Sequence, residues 1–269
     1  MAIEVRRKKY GRPRQFVHSA EAAPGPDSPN APAGVSARLG YKAWFDRLVA
    51  LVFLIPGLPL MAVLAVVVRL TSPGPGIYRQ TRSGLRGRVF TMYKLRSMTC
   101  DAEARTGAVW ATRRDPRITP LGKFLRKYHL DELPQLINVL KGDMSLVGPR
   151  PERPEIVKEL QEKIPGYLAR LDVPPGVTGL AQVNLPPDTV LDDVRRKLVL
   201  DREYAATAGL WLDLRILLCT FARVCGVPNR VPRKWLGLER KVVLEGESES
   251  IVIDFGTVRA PALATIPEE

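Results

Sequence analysis

The sequence predicts an α/β chain that is mostly helical: a re-entrant membrane helix-break-helix hairpin, a small β-sheet and interfacial amphipathic helices. Three observations carry this prediction. Leu48 to Val68 contains no charged residue over 21 positions, yet Pro56, Gly57 and Pro59 interrupt its middle. Ile77-Tyr78 and Val89 to Tyr93 are two short strand-like runs around a Gly-rich basic turn. Beyond them, apolar residues recur at helical spacing in several segments.

Composition narrows the partners. Of the 269 residues, 41 are Lys or Arg and 28 are Asp or Glu, a net charge of +13. That balance implies an anionic partner: nucleic acid, a lipid headgroup surface or a phosphorylated substrate. No aromatic motif of an RNA-binding kind supports nucleic acid. Cys100, Cys219 and Cys225 form no paired framework, which suggests reduced thiols, and two histidines are too few for a His-rich zinc site.

Residues 1–37 read as a disordered basic and Pro-rich tail with little to bury. The membrane hairpin follows, over about residues 44–70. Its prolines divide Leu48 to Val68 into two arms of ~15 Å each. Arg38, Lys42 and Arg47 precede it; Arg69, Arg79, Arg82, Arg86 and Arg88 follow it. A helix that crosses a bilayer shows a basic bias on one side, so symmetric flanks favour a dip that returns to the same face. Spanning stays open, because transmembrane helices tolerate proline.

After the TSPGPG turn and the two strands come Lys94 and Arg96, basic side chains beside a strand end that could grip phosphates or form a solvated face. Asp101 to Thr112 has a helical pattern. Thr119-Pro120 is an N-cap followed by Pro at the first helical position, and this helix carries Arg126. The organising stretch is His129 to Glu152. Asp131 and Glu132 lie where a helix would begin, with Pro134 in its first turn and Leu133, Leu136, Ile137 and Leu140 at i, i+3, i+4 and i+7. A carboxylate at a helix N-terminus is kept ionised and a phosphate is drawn to the same place, though acids there also serve as plain dipole partners. The stretch ends in a rigid basic elbow, Pro149-Arg150-Pro151.

Glu155 to Leu171 reads as an amphipathic helix interrupted at Pro165-Gly166, Pro174 to Gly179 as a rigid loop, and Asp192 to Ala206 as a helix of mixed charge. Leu210 to Val224 is a core helix or one lying along the membrane interface. Residues 227–269 form a C-terminal extension, in which Lys241 to Leu244 and Ile251 to Phe255 could pair as a hairpin.

Four segments together, residues 72–98, 118–152, 174–183 and 210–217, resemble the bacterial sugar transferases of the monotopic phosphoglycosyl transferase family. The resemblance covers about residues 40–226, and the transferase domain it implies is expected over residues 38–226. It implies a re-entrant helix broken at Pro56, and transfer of a phosphosugar from a UDP-sugar to a polyprenyl phosphate such as undecaprenyl phosphate, with Mg2+ as cofactor. It places the catalytic Asp-Glu pair on Asp131 and Glu132, with the metal on Glu132. The phosphate-contacting positions fall on Lys94, Arg96, Arg126 and Arg150, and the elbow on Pro149 and Pro151. It further implies a bacterial inner membrane location, on the cytoplasmic face, beside anionic lipid; an interfacial homodimer is compatible with it. Two positions depart from many members: Ile55 replaces a Ser before the membrane proline, and His129 replaces a capping Ser or Thr. This chain resembles the small form, without a series of preceding membrane helices. The chemistry expected is attack by Asp131 on phosphorus through a covalent intermediate. The alternatives are single displacement with the same residues, and a non-enzymatic, membrane-anchored basic module.

Overall fold

A computed structural model describes residues 3–6, 15–16, 33–100, 102 and 115–244. Among them, helices dominate and the sheets are small. The first long element is α1, Ala33–Thr71. It is continuous: Pro56 and Pro59 lie inside the helix and do not end it as the sequence suggested. Each proline deletes one N–H donor, and helical backbone persists on either side. Gly40–Thr71 is long and apolar enough to cross a membrane by length and composition.

Both ends of α1 are fastened to the globular body. In its first half, Ala50 joins the main core with Val139, Met144, Leu146, Leu180 and Ile216. Lys42 Nζ there lies 2.5 Å from Asp213 Oδ2, and Ser145 Oγ donates to Asp46 Oδ2 at 2.5 Å. Near its end, Val68 packs with Leu95 and Leu125, flanked by Leu64, Ala65 and Leu130. Between these anchors most apolar side chains are exposed, Phe53, Ile55 and Val63 among them. Leu54 and Met61 are buried there but belong to neither core.

The expected strand pair forms, longer than the sequence indicated: β3, Ile77–Ser83, runs antiparallel to β4, Val89–Leu95. Their register sets Tyr78 opposite Lys94 and Arg82 opposite Phe90, so Lys94 and Arg82 share one face. On the other edge of β4 the Asn138 amide takes the place of a strand. Its Oδ1 accepts from Tyr93 N at 3.1 Å and its Nδ2 donates to Thr91 O at 2.7 Å.

Helix α2, Pro120–Lys127, starts as expected, with Thr119 Oγ1 accepting from Gly122 N at 2.9 Å. The acidic pair departs from expectation. It lies in a separate 3-10 turn, Leu130–Glu132, ahead of α3, Gln135–Lys141, whose N-cap is Pro134. His129 enters this turn with φ +55°, and the left-handed step tightens the chain before a helix can start. The face of α3 that is buried also differs: Gln135, Asn138 and Val139 are buried, while Leu136, Ile137 and Leu140 are half-buried.

A two-stranded parallel pair missed by the sequence reading follows: β5, Ser145–Val147, with β6, Gly176–Thr178, inside the expected rigid loop. Three residues are too few for a periodic signal. The junction depends on glycine: a Cβ on Gly148 would strike the Pro174 carbonyl oxygen. Helix α4, Pro154–Lys163, and a 3-10 turn, Tyr167–Leu171, reproduce the interrupted helix. Then come α5, Leu180–Asn184, α6, Leu191–Thr207, and α7, Leu210–Val224. Helix α7 buries Asp213, Ile216 and Cys219 and exposes Trp211, Leu214, Leu218 and Phe221 on its other side. Helix α8, Arg230–Trp235, precedes β7, Lys241–Val243.

Strand β7 pairs with β1, Ile3–Arg6, which also pairs with β2, Gln15–Phe16. Two short strands and the first turn of α1 therefore fall within the stretch expected to lack structure. The free backbone edge of β7 supplies the partner that the tail's own composition does not. The expected partner of β7, residues 251–255, lies outside the described residues, as does the helix expected at residues 101–112 apart from Ala102.

Candidate active site

Four elements converge on Asp131 and Glu132. Strand β4 delivers Lys94, α2 delivers Arg126, the 3-10 turn holds the two acids, and the segment after β5 delivers Arg150. Glu132 Oε1 receives Arg150 Nη2 at 2.8 Å and Lys94 Nζ at 3.2 Å. Burial alone would raise the Glu132 carboxyl, but Arg150 and then Lys94 outweigh it and hold the group well below the usual carboxylate range. Side-chain cations, rather than the N-terminus of α3, keep this carboxylate ionised.

Asp131 stands differently. It is 7% exposed, and among the described residues no hydrogen bond or ion pair reaches its carboxylate. Burial, followed by the neighbouring Glu132 charge, pushes its pKa up; Lys94, Arg126 and Arg150 pull it down without cancelling the rise. The cluster therefore sets two acids against three cations, and its surplus is positive.

Arg126 donates its Nε to Ser97 Oγ at 2.8 Å, and its charge acts on Asp131. The elbow is pinned through its carbonyls. Pro149 O accepts from Gly176 N at 2.8 Å, Arg150 O from Arg170 Nη2 at 2.8 Å, and Pro151 O from Arg82 Nη1 at 3.2 Å. Pro56 lies in the exposed middle of α1, away from this cluster.

Arg96 is not brought to the acids. Its guanidinium donates to the carbonyls of Ser72 at 2.8 Å, Gly74 at 3.3 Å and Val68 at 3.4 Å, and to that of Pro73. It braces the turn that follows α1, through the carbonyls of Ser72, Pro73 and Gly74, and touches the helix itself only at Val68, whose carbonyl also accepts from Ser72 N. Lys94 is still within β4, whereas Arg96 follows its last residue, Leu95, where the chain has left the strand and meets the turn after α1. His129, at the position of the capping Ser or Thr, makes no side-chain cap bond and contributes its left-handed backbone instead.

A second charged group lies behind the elbow and was missed. Glu152 Oε1 meets Lys197 Nζ at 2.6 Å, Arg82 Nη1 approaches Oε2 at 3.7 Å, and Arg170 Nη1 lies 3.9 Å from Oε1. Burial opposes ionisation of Glu152, yet Lys197, Arg170 and Arg82 bring its pKa down to about 2. These partners are 45, 70 and 18 residues away along the chain, so no local pattern announces them.

The donor set suits magnesium. That ion binds through one or two carboxylates, waters and substrate phosphates rather than an all-protein cage. Asp131 and Glu132 supply adjacent carboxylates, and among the described residues no group of three or more His, Cys, Asp or Glu converges.

A helix long and apolar enough to cross a membrane is thus fastened to the body that sets an acidic pair among three cations, the arrangement of a transferase class that its relatives identify. The chain belongs to the bacterial sugar transferase family, whose model matches residues 37–226. It is 52% identical to a putative undecaprenyl-phosphate N-acetylgalactosaminyl 1-phosphate transferase of Bacillus subtilis over 49% of this chain and 74% of that one. It is 43% identical to the UDP-glucose:undecaprenyl-phosphate glucose-1-phosphate transferase of Xanthomonas campestris pv. campestris, over 69% of this chain and 39% of that one. It is 44% identical to the protein of the same description from Caulobacter vibrioides, over 64% of each chain. The matches span from about a third to three quarters of the relatives' lengths.

Proposed function

We propose that this chain transfers a phosphosugar from a UDP-sugar to a polyprenyl phosphate, at the cytoplasmic face of a bacterial inner membrane, as a first step in building a polysaccharide or glycoconjugate. The observation that carries the reading is the contrast within the acidic pair: Glu132 is clamped by Arg150 and Lys94, while the neighbouring Asp131 carboxylate is held by neither. A carboxylate left free among three cations is placed to meet an electrophilic phosphorus.

In the mechanism, Asp131 attacks the sugar-bearing phosphorus. A carboxylate oxygen–phosphorus bond forms, the anhydride bond breaks, and UMP leaves with the electron pair. The phosphate oxygen of the lipid acceptor then attacks the same phosphorus and the Asp131 carboxylate departs unchanged. Arg150 and Arg126 bind and orient phosphate oxygens, where fork geometry matters. Lys94 adds charge from β4. Magnesium, held by Glu132 with the substrate diphosphate, would supply charge neutralisation. E132Q is expected to raise the Mg2+ concentration needed for half-maximal rate about ten-fold, as read by Mg2+ titration of UMP release.

The re-entrant path of α1 belongs to this proposal. Its support is the anchoring of both ends in one body, the basic residues beyond both ends, and the burial of Leu54 and Met61 outside either core. The exposed Trp211, Leu214, Leu218 and Phe221 of α7 support an interfacial seat.

The test is intact-protein mass spectrometry in detergent with Mg2+, offering UDP-glucose and UDP-N-acetylgalactosamine without lipid acceptor. A mass gain of one phosphosugar with UMP release, absent in D131N, is expected. Transfer that appears only when polyprenyl phosphate is present, with no adduct, would replace the covalent route by single displacement. No reaction in either arm would leave the basic membrane module.

A further inference from the structure

Arg150 belongs to two charge clusters at once. Its side chain serves the acidic pair, through Glu132. Its carbonyl oxygen serves the group behind the elbow, through Arg170 Nη2 at 2.8 Å. Arg170 is 2% exposed and fully committed: Nε donates to Asp201 Oδ2 at 3.0 Å and Nη1 to the Tyr167 hydroxyl at 2.9 Å. Glu152, Asp188 and Asp201 face Arg82, Arg170 and Lys197, so this second group is charge-balanced and leaves nothing over for a substrate. Its work is mechanical.

Helix α6 shows what that work is. Lys197, Asp201 and Tyr204 lie at i, i+4 and i+7, on one face. They meet the elbow segment in reverse order. Lys197 Nζ reaches the Glu152 carboxylate at 2.6 Å, Asp201 reaches the Arg150 carbonyl through Arg170, and the Tyr204 hydroxyl lies 2.8 Å from Val147 O, sharing its one hydrogen with Asp213 Oδ1 at 2.7 Å. A polar stripe on one helix thus splints residues 147–152 at three points, and Arg150 is at the middle one.

We propose that Arg170, oriented by Asp201, is a positioning residue that sets Arg150 onto Glu132, and that α6 is the splint for the phosphate-binding elbow. The inference rests on the reading of Asp131, Glu132 and Arg150 given above. Arg170 touches no reacting atom; it acts through the main chain of Arg150. Without it, the Arg150 carbonyl loses its buried donor and the guanidinium loses the fixed origin from which it reaches Glu132.

The experiment is a double-mutant cycle on the full chain in detergent with Mg2+, undecaprenyl phosphate and whichever of UDP-glucose and UDP-N-acetylgalactosamine the wild type turns over. R170M is expected to lower kcat/KM about ten-fold, the coupling usual within one network, but less than about two-fold when R150K is already present. R170K keeps one donor for the Arg150 carbonyl and is expected to recover part of the loss. If R170M does not fold, as read by its melting transition, D201N enters the cycle in its place; it keeps the shape of the acid and loosens its hold on Arg170. An effect of equal size with and without R150K, or no effect of either Arg170 variant on kcat/KM, would overturn the proposal. Absence of UMP release from the wild type, or an R150K variant as active as the wild type, would instead overturn the functional reading, and this inference with it.

Discussion

Arg150 and Glu132 lie 18 residues apart in sequence, and Arg150 Nη2 sits 2.8 Å from Glu132 Oε1. The pair joins the elbow after β5 to the 3-10 turn before α3. It holds Glu132 ionised and leaves Asp131 free. Lysine keeps the charge of Arg150 but not its fork. R150K is expected to lower kcat for UMP release about ten- to a hundred-fold with a smaller change in melting temperature. Wild-type kcat in that variant would remove Arg150 from the phosphate site.

Arg96 should behave as a structural residue. R96M strips the carbonyls of Val68, Ser72, Pro73 and Gly74 of a buried donor, at a cost of about 3 kcal/mol. Thermal unfolding should show the loss as a lower midpoint, while KM for the UDP-sugar stays near wild type in the folded fraction. A raised KM at unchanged stability would return Arg96 to the phosphate-binding set.

Glu152 ties stability to pH. Its ordinary pKa of 4.5 falls to about 2 on folding. A depressed carboxyl contributes stability that is present in full above pH 4.5 and is lost as pH falls toward 2. The contribution is at most about 3 kcal/mol. Melting curves of wild type and E152Q, compared at pH 6, 4 and 3, should converge as the pH drops. A gap that stays constant over that range would show that ionised Glu152 is not what the cations behind the elbow rely on.

The path of α1 can be read from its ends. In a chain whose native cysteines are replaced, Y41C and L70C probes in sealed vesicles are both expected to react with a membrane-impermeant maleimide added from one side. Labelling of the two from opposite sides would establish a spanning helix.

What was legible in the sequence was what periodicity and capping encode. Thr119-Pro120 announced α2, the β-branched and aromatic runs announced β3 and β4, and the apolar spacing of Leu210 to Val224 gave α7 to the residue. Family-specific residues located Asp131, Glu132, Lys94, Arg126 and Arg150, which the fold gathers. What was illegible depended on contacts distant in sequence. Arg96 and Lys94 look alike in a basic run, and only the position of the turn after α1 separates the side chain that braces it from the one that reaches Glu132. Glu152, Arg170 and Lys197 look like ordinary surface charges until α6 packs behind the elbow. The buried face of α3 carries Gln135 and Asn138 beside Val139, Asn138 because its amide bonds the edge of β4, so counting apolar residues chose the other face. Strands of three residues, held by a glycine junction, carry no period to read.

Asn138 has a consequence beyond packing α3 against β4. Strand β4 is paired on one edge only, and its other edge would offer Thr91 O and Tyr93 N to any extended chain that approached. The Asn138 side chain copies a peptide group, with one acceptor and one donor aligned to those two atoms. A single amide thus seals an edge that proteins more often guard with a whole strand or a row of charges. Aspartate would keep the acceptor for Tyr93 N but turn an oxygen toward the Thr91 carbonyl, leaving that carbonyl without its donor. At this position one nitrogen atom decides whether the outer edge of β4 is fully paired.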